Sequence, residues 1–181
     1  MHLKELTTTI PLPTGVSATA NAMQIIIKGP KGELNRVVGT KVVIVRVEGN
    51  NIIMHASNVT KNTKRILNTN VAHVKNMLKG ATQGHTYKLK ICSGHFPMSV
   101  TLKGEIFEVK NFIGESVPRK LKIKQGAKVT ISGTDITVES VNKETAGTQA
   151  AAIELLTRRP GFDTRVFQDG IYITEKDGKK V

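Results

Sequence analysis

Compared with itself at a shift of about eighty positions, the sequence repeats, and a duplication constrains the fold more than any other feature, because whatever one half builds the other half must build as well. Lys28, Gly32 and Glu33 in IIIKGPKGE stand opposite Lys110, Gly114 and Glu115 in FEVKNFIGE, each pair 82 positions apart. Gly49 with Ile52, Ile53 and Met54 stands opposite Gly133 with Ile136, Thr137 and Val138 at 84 positions, the small difference being an insertion in one loop. At 181 residues and 39% apolar composition the chain has material for one sizeable core or two small ones, and the repeat favours two, over 1–82 and 83–181.

Within the first copy, Met23 to Lys28, Glu33 to Val38, Lys41 to Val47 and Asn51 to Ala56 read as short strands separated by Gly, Pro and Asn turn signals. Ile66, Leu67, Val71, Val74, Met77 and Leu78 then recur at helical spacing, predicting a helix from Lys61 to Leu78, with Asn58 or Thr60 as its cap and Gly80 as its end. The second copy is expected to place strands at Val100 to Leu102, Glu105 to Lys110, Lys120 to Lys124, Val129 to Ser132 and Asp135 to Val141, and a helix from Lys143 to Arg158. A last strand pair, Arg165 to Phe167 and Ile171 to Thr174 around Asp169 and Gly170, has no counterpart in the first copy. Strands grouped before a helix make an α+β fold: two tandem copies of a small antiparallel sheet, curled, with one helix on its open face.

Lys and Arg number 27 against 14 Asp and Glu, a net charge of +13, which calls for a polyanionic partner: nucleic acid first, an anionic membrane surface second. No apolar run is long enough for a spanning helix, the N-terminus does not read as a secretory signal, and the single Cys92 suits a reducing compartment, so a cytosolic protein is expected. Alternation places Lys120, Lys122 and Lys124 on one face of a strand, with Leu121 and Ile123 on the other, and does the same for Lys88 and Lys90 against Leu89 and Ile91. Lys61, Lys64, Arg65, Lys75 and Lys79 lie away from the apolar stripe of the first helix. Each of these faces also reads as ordinary solvated surface. Residues 1–82 hold 11 basic and 3 acidic side chains, residues 83–181 hold 16 and 11. The second copy gathers its charge: Arg158 and Arg159 before a Gly and Pro loop, Arg165 after it, and Lys176, Lys179 and Lys180 in the tail, a concentration that fits phosphate contact.

All seven aromatic residues, Tyr87, Phe96, Phe107, Phe112, Phe162, Phe167 and Tyr172, lie at or after position 87. The first copy therefore offers no ring for a base to stack on and is left with phosphate, sugar and shape contacts. Phe107, Phe167 and Tyr172 fall in strand positions where core packing is the default, whereas Phe162 in the loop does not. His85, Cys92 and His95 invite a metal, but no fourth ligand or paired Cys motif accompanies them, and none is expected; His73 is read as structural. Gly29 to Gly32 resembles a Gly-x-x-Gly clamp but joins two strands, so it reads as a hairpin turn. No phosphate-cradling loop, dinucleotide fingerprint or nucleophile elbow occurs, and Glu105, Glu108 and Glu115 alternate with basic residues as surface pairs. Nothing argues for an enzyme, a cofactor or a small-molecule substrate.

These residues resemble one family over nearly the whole chain, the large-subunit ribosomal proteins called L-six in bacteria and archaea and L-nine in eukaryotes. Ile10, Pro11, Gly15 and Val16 are similar to the family's opening, Ile27 to Gly32 to its Val-Lys-Gly-Pro-Lys-Gly, and Asn76, Met77, Gly80, Thr82 and Gly84 to its helix and linker. His95 to Pro97 and Asn111 to Glu115 resemble the archaeal and eukaryotic branch, and Arg165, Phe167, Asp169, Gly170, Ile171, Tyr172, Ile173 and Lys176 the C-terminal signature. The resemblance implies an archaeal source first and a eukaryotic one second, and a cytoplasmic place in the ribosome, on large-subunit rRNA near the stalk base and the sarcin-ricin loop, among neighbouring large-subunit ribosomal proteins and close to where translation factors dock. It assigns the main rRNA contact to the second copy: Arg158, Arg159, Gly161 and Arg165 around the loop, then Lys176, Lys179 and Lys180, to which the charged strands add Lys120, Lys122 and Lys88. A factor or chaperone that binds RNA outside the ribosome carries the same charge, and an enzyme built on His85, Cys92 and His95 is the third reading.

Overall fold

A computed structural model describes residues 3–21, 23–163 and 165–181, with the side chains of Leu3, Lys4 and Asn58 excepted. The chain divides into two compact units, Met1–Gly84 and His85–Val181. In the first, strands β1 (Leu3–Pro11), β2 (Ser17–Asn21), β3 (Gln24–Gly29), β4 (Gly32–Val37), β5 (Val43–Glu48) and β6 (Asn51–Val59) precede helix α1 (Lys61–Thr82). In the second, β7 (His85–Cys92), β8 (Ser99–Lys103), β9 (Ile106–Lys110), β10 (Arg119–Lys122), β11 (Ala127–Ser132) and β12 (Asp135–Ser140) precede α2 (Lys143–Leu156), and β13 (Gly170–Lys176) and β14 (Lys179–Lys180) follow it. The fold is α+β and the order of elements repeats. Lys28 and Lys110 occupy β3 and β9, and Gly49 and Gly133 the turns before β6 and β12, so the sequence offsets mark equivalent places.

Each unit divides its strands between two antiparallel sheets rather than curling one. The first has β1-β6-β5 and β2-β3-β4; the second has β10-β9-β8 and β11-β12-β7-β13-β14. β13 docks on the edge of β7 that its counterpart β1 leaves open in the first unit. This is where the two copies part.

Period-two burial makes these strands amphipathic. Ile25 and Ile27 of β3, Val43 and Val45 of β5, and Ile52, Met54 and Ala56 of β6 meet Leu67, Val74, Met77, Leu78 and Ala81 of α1. Each large aliphatic side chain so buried contributes about 1.5–3 kcal/mol. In the second unit the volume sits on the other side of the interface. Phe107 takes the place of Ile25, Phe112 and Tyr87 join the core, and α2 answers with Ala146 and Ala150. At Gly147 a methyl group would stand 3.3 Å from the Tyr87 hydroxyl, so the sheet's ring fills the space the helix side chain gives up.

Several expectations are corrected. β1 and β2 lie outside the strands expected: LTTTIP and SATAN are built of small and threonine side chains that give little apolar alternation. Helix α1 does not end at Gly80, which is buried within it; Gln83 is its C-cap and Gly84, at φ +79, turns the chain, its N–H donating to the Lys79 and Gly80 carbonyls. Thr60 caps the start, accepting from the Thr63 amide, while the alternative cap, Asn58, has its side chain outside the described residues. The hairpin reading of Gly29 to Gly32 holds, for Gly29 pairs with Gly32 across a two-residue loop. That loop also serves the helix, since the Lys31 amide donates to the Ala81 carbonyl at 3.0 Å. α2 stops at Leu156, two residues short of Arg158. Arg165 to Phe167 is not a strand but a turn in which the Val166 and Phe167 amides reach the Asp163 carbonyl, and the real terminal hairpin joins β13 to β14 through Asp177 and Gly178.

Candidate nucleic-acid interface

The arginine-rich segment after α2 starts from a helix end with no basic residue in its last turn. The donor its orphan carbonyls need comes from elsewhere in the chain: Arg119 of β10 donates through Nη1 to the Leu156 carbonyl at 2.7 Å and to the Arg158 carbonyl at 3.3 Å. Thr157 ties the same end to the sheet, its hydroxyl donating to the Glu154 carbonyl and accepting from the Ile171 amide. Arg119 lies over the Phe112 ring at 4.4 Å and forks onto Glu115, Nε to Oε2 at 2.8 Å and Nη2 to Oε1 at 2.7 Å. From Glu115 the bracing continues outward. Arg159 reaches its Oε1 at 3.5 Å and stacks over Phe162 at 4.6 Å. Phe162 meets Phe167 edge-on at 5.0 Å, Phe167 meets the His95 imidazole at 4.9 Å, and His95 Nδ1 lies 2.6 Å from Asp169 Oδ2. A loop that turns at Pro160 and Gly161 is thus held by a continuous run of ion pairs and rings.

The charges along this run hold one another in place. The hydrogen bond from Arg119 holds the Glu115 carboxyl below its ordinary range in spite of burial, with the charges of Arg119 and Arg159 assisting. Burial opposes ionisation of Asp169, yet the amide and imidazole of His95, with the Gly94 amide, outweigh it and leave that carboxyl lowered too. Asp163 is lowered by the hydrogen bonds it accepts from Arg165.

The residues nominated from sequence fall into two groups. Lys88 pairs with Glu175 directly across β7 and β13 at 2.9 Å, Lys120 lies 4.0 Å from Glu108, Lys122 lies 3.7 Å from Glu105, Arg159 shares Glu115, and Arg165, 89% exposed, forks onto Asp163. Among the described residues, Arg158, Lys176, Lys179 and Lys180 are exposed and have no carboxylate partner. Gly161, at φ +88 beside Phe162, lets the loop turn where a side chain would be strained. Glu105 behaves as the surface pair expected of it, but Glu108 is buried: Lys103 at 3.1 Å is its main partner, and that hydrogen bond holds it below its ordinary range.

The three soft ligands are placed apart in role. His85 is buried with Nδ1 3.1 Å from Asp177, His95 belongs to the Asp169 pair, and among the described residues no group of three His, Cys, Asp or Glu side chains could hold a metal. His73 lies 3.2 Å from Arg36. Phe107 is core as expected, but Phe167 is in the loop cluster and Tyr172 is 40% exposed. On α1, Lys61, Lys64, Arg65 and Lys75 are exposed along an open face with Asn68, Thr69 and Asn76. No described helix is long and apolar enough to cross a membrane.

Sequence reasoning missed Arg119 and the bracing role of Glu115, His95 and Asp169. The signal for the last three was that HFP and NFIGE, which supply His95 and Glu115, and the C-terminal signature, which supplies Asp169, match family motifs.

Compared with known proteins, the family described as Ribosomal protein L6 matches twice, over residues 12–84 and again over 96–170, once in each unit. The chain is 38% identical to the large ribosomal subunit protein uL6 of Methanococcus vannielii over 94% of its own length and 93% of the relative's. The same identity relates it to uL6 of Methanosarcina mazei, over 96% and 99%, and of Ignicoccus hospitalis, over 93% and 93%. A duplicated domain matched in both copies, together with relatives matched over more than nine tenths of their length, places the chain in the ribosomal protein L6 family.

Proposed function

We propose that the chain is a structural constituent of the large ribosomal subunit, without catalytic turnover, that grips large-subunit rRNA chiefly through its second unit. The observation that carries this reading is that, among the described residues nominated from sequence in the second unit, Arg158 on the braced loop and Lys176, Lys179 and Lys180 at the far end of β13 are exposed with no carboxylate partner, in a chain of this family. A cation already neutralised by a carboxylate must give up that partner or share it to bind phosphate, whereas an unpaired exposed one releases counterions at no such cost. Arg159, Gly161 and Arg165 support the loop and add to the grip; Lys88, Lys120 and Lys122, paired on their sheets, contribute long-range field more than direct binding. The site proposed on the subunit is near the stalk base and the sarcin-ricin loop, in the cytoplasmic ribosome, beside other large-subunit proteins and bordering the place where translation factors dock.

Sedimentation tests the assembly. The chain is expected in washed large subunits, and its absence from them, with free RNA binding intact, would move it to a factor acting outside the ribosome. On purified rRNA, changing Arg158, Lys176, Lys179 and Lys180 together to Ala should lower affinity and flatten the salt dependence by about one unit of slope for each phosphate no longer neutralised. An unchanged slope sinks the proposal.

A further inference from the structure

Beyond the cationic surface, the second unit contains a cleft of about 420 Å³, within the size range of small-ligand sites. The end of α2, the loop that follows it and β13 form its walls, through Leu155, Arg158, Phe162, Phe167, Tyr172 and Glu154 among others. Three apolar side chains stand exposed at this one place, Leu155 at 58%, Tyr172 at 40% and Phe162 at 36%. Exposed rings gathered in a concavity ask for an occupant in a way that scattered ones do not.

We infer that this cleft takes a single unstacked RNA base bearing an exocyclic amino group, with the adjoining phosphate on Arg158. The inference rests on the rRNA-binding reading and names a site within it. Rings offer a base its flat face, and recognition of single-stranded RNA proceeds by such stacking. The charges discriminate further. Two carboxylates, Glu154 and Asp169, line the cleft and would repel a phosphate inside it, while the unpaired Arg158 is available to receive one. Asp169 is already engaged by His95 through both oxygens. Glu154 has only a 3.4 Å approach from the Ile173 amide to Oε1, so an acceptor is left for an amino group of adenine, cytosine or guanine, which uracil lacks. The cleft is also built in advance. Its Phe112 and Ile113 belong to a turn in which Asn111, Ile113 and Gly114 all have positive φ, and Ile113 at φ +45 is an outlier for a β-branched residue, held there by its surroundings.

The test uses the full chain bound to large-subunit rRNA, with backbone and base probes read side by side. Hydroxyl radicals report the RNA backbone, while dimethyl sulfate reports the Watson–Crick edges of unpaired adenines and cytosines and kethoxal those of unpaired guanines. The wild-type chain should protect backbone and, within that footprint, one unpaired base. Phe162→Ala should restore that base's reactivity and weaken binding by about 5–150-fold, the range for loss of one stacked base. Because Phe162 also braces the loop, Leu155→Arg serves as the second variant: it fills the cleft from an exposed position and adds a cation, so backbone protection should persist or strengthen while the base becomes reactive. Glu154→Gln should narrow the preference for the protected base over uracil at that position. Backbone protection without any base whose reactivity depends on Phe162 or Leu155 overturns the cleft and spares the RNA-binding reading. No backbone protection at all overturns both. A photocrosslinker at position 155 that captures protein and not RNA in whole subunits also overturns the base assignment.

Discussion

Replacing Arg119 with Met keeps the length of the side chain and removes its guanidinium, and the structure predicts a large cost in the second unit alone. Four interactions disappear: the fork onto Glu115 at 2.7 and 2.8 Å, the bonds to the Leu156 carbonyl at 2.7 Å and the Arg158 carbonyl at 3.3 Å, and the cation stack over Phe112 at 4.4 Å. Hydrogen bonds to charged groups are each worth about 1.5–3 kcal/mol and a cation over a ring about 0.5–1 kcal/mol. These do not add in full. Arg119 and Glu115 are each about a quarter exposed, which screens the pair, and Arg159 remains 3.5 Å from Glu115 to take up part of its charge. Met retains the packing on Phe112. The expected loss is therefore about 2–3 kcal/mol rather than the full sum. The chain supplies its own reporter, because it has no Trp and both tyrosines, Tyr87 and Tyr172, lie in the second unit. Urea unfolding of Arg119→Met followed by tyrosine emission should show that loss, while circular dichroism resolves a first-unit transition at its wild-type midpoint. A change under about 0.5 kcal/mol, the usual effect of a surface substitution, would refute the bracing role of Arg119.

Gly29→Ala should destabilise the first unit by about 1–3 kcal/mol, since the new methyl would stand 2.6 Å from the Ala81 carbonyl oxygen, and the affected transition in circular dichroism should be the one tyrosine emission does not follow. Thr60→Ala should cost the same unit about 1 kcal/mol through loss of the α1 cap, again measured by urea unfolding. The lowered carboxyls of Glu115 and Asp169 give a signed pH dependence. Their stabilisation is complete above the unfolded values, 4.5 and 3.8, and is lost as pH falls through the lower folded values, so tyrosine-monitored stability of the second unit should decline in acid from about pH 4.5 downward, and less steeply in Glu115→Gln.

The duplication was legible because its strongest signals are turns. Lys28 with Gly32 and Lys110 with Gly114 sit where strands end, and Gly49 and Gly133 where hairpins reverse, and such places tolerate few residues. Strands whose pattern is a strong apolar alternation, such as β3 and β6, were legible for the same local reason. β1 and β2 were not: their threonines and alanines fit a sheet only because β6 and β3 are there to pair with them. The cationic residues of the interface could be counted in the sequence, but whether each is free could not, since Lys88 meets Glu175 and Arg159 meets Glu115 only across the folded unit. Arg119 escaped for that reason, as its partners at Leu156 and Arg158 lie 37 and 39 positions away.

The central proposal for this chain is that the second unit makes the main grip on rRNA, through Arg158, Lys176, Lys179 and Lys180. Acetylation of lysines on the full chain, free and then bound to purified large-subunit rRNA, and read by mass spectrometry, tests this most directly. Lys176, Lys179 and Lys180 should be protected by the RNA while Lys61, Lys64 and Lys75 on α1 stay reactive; equal protection of the two sets, or protection of the α1 set alone, would contradict it.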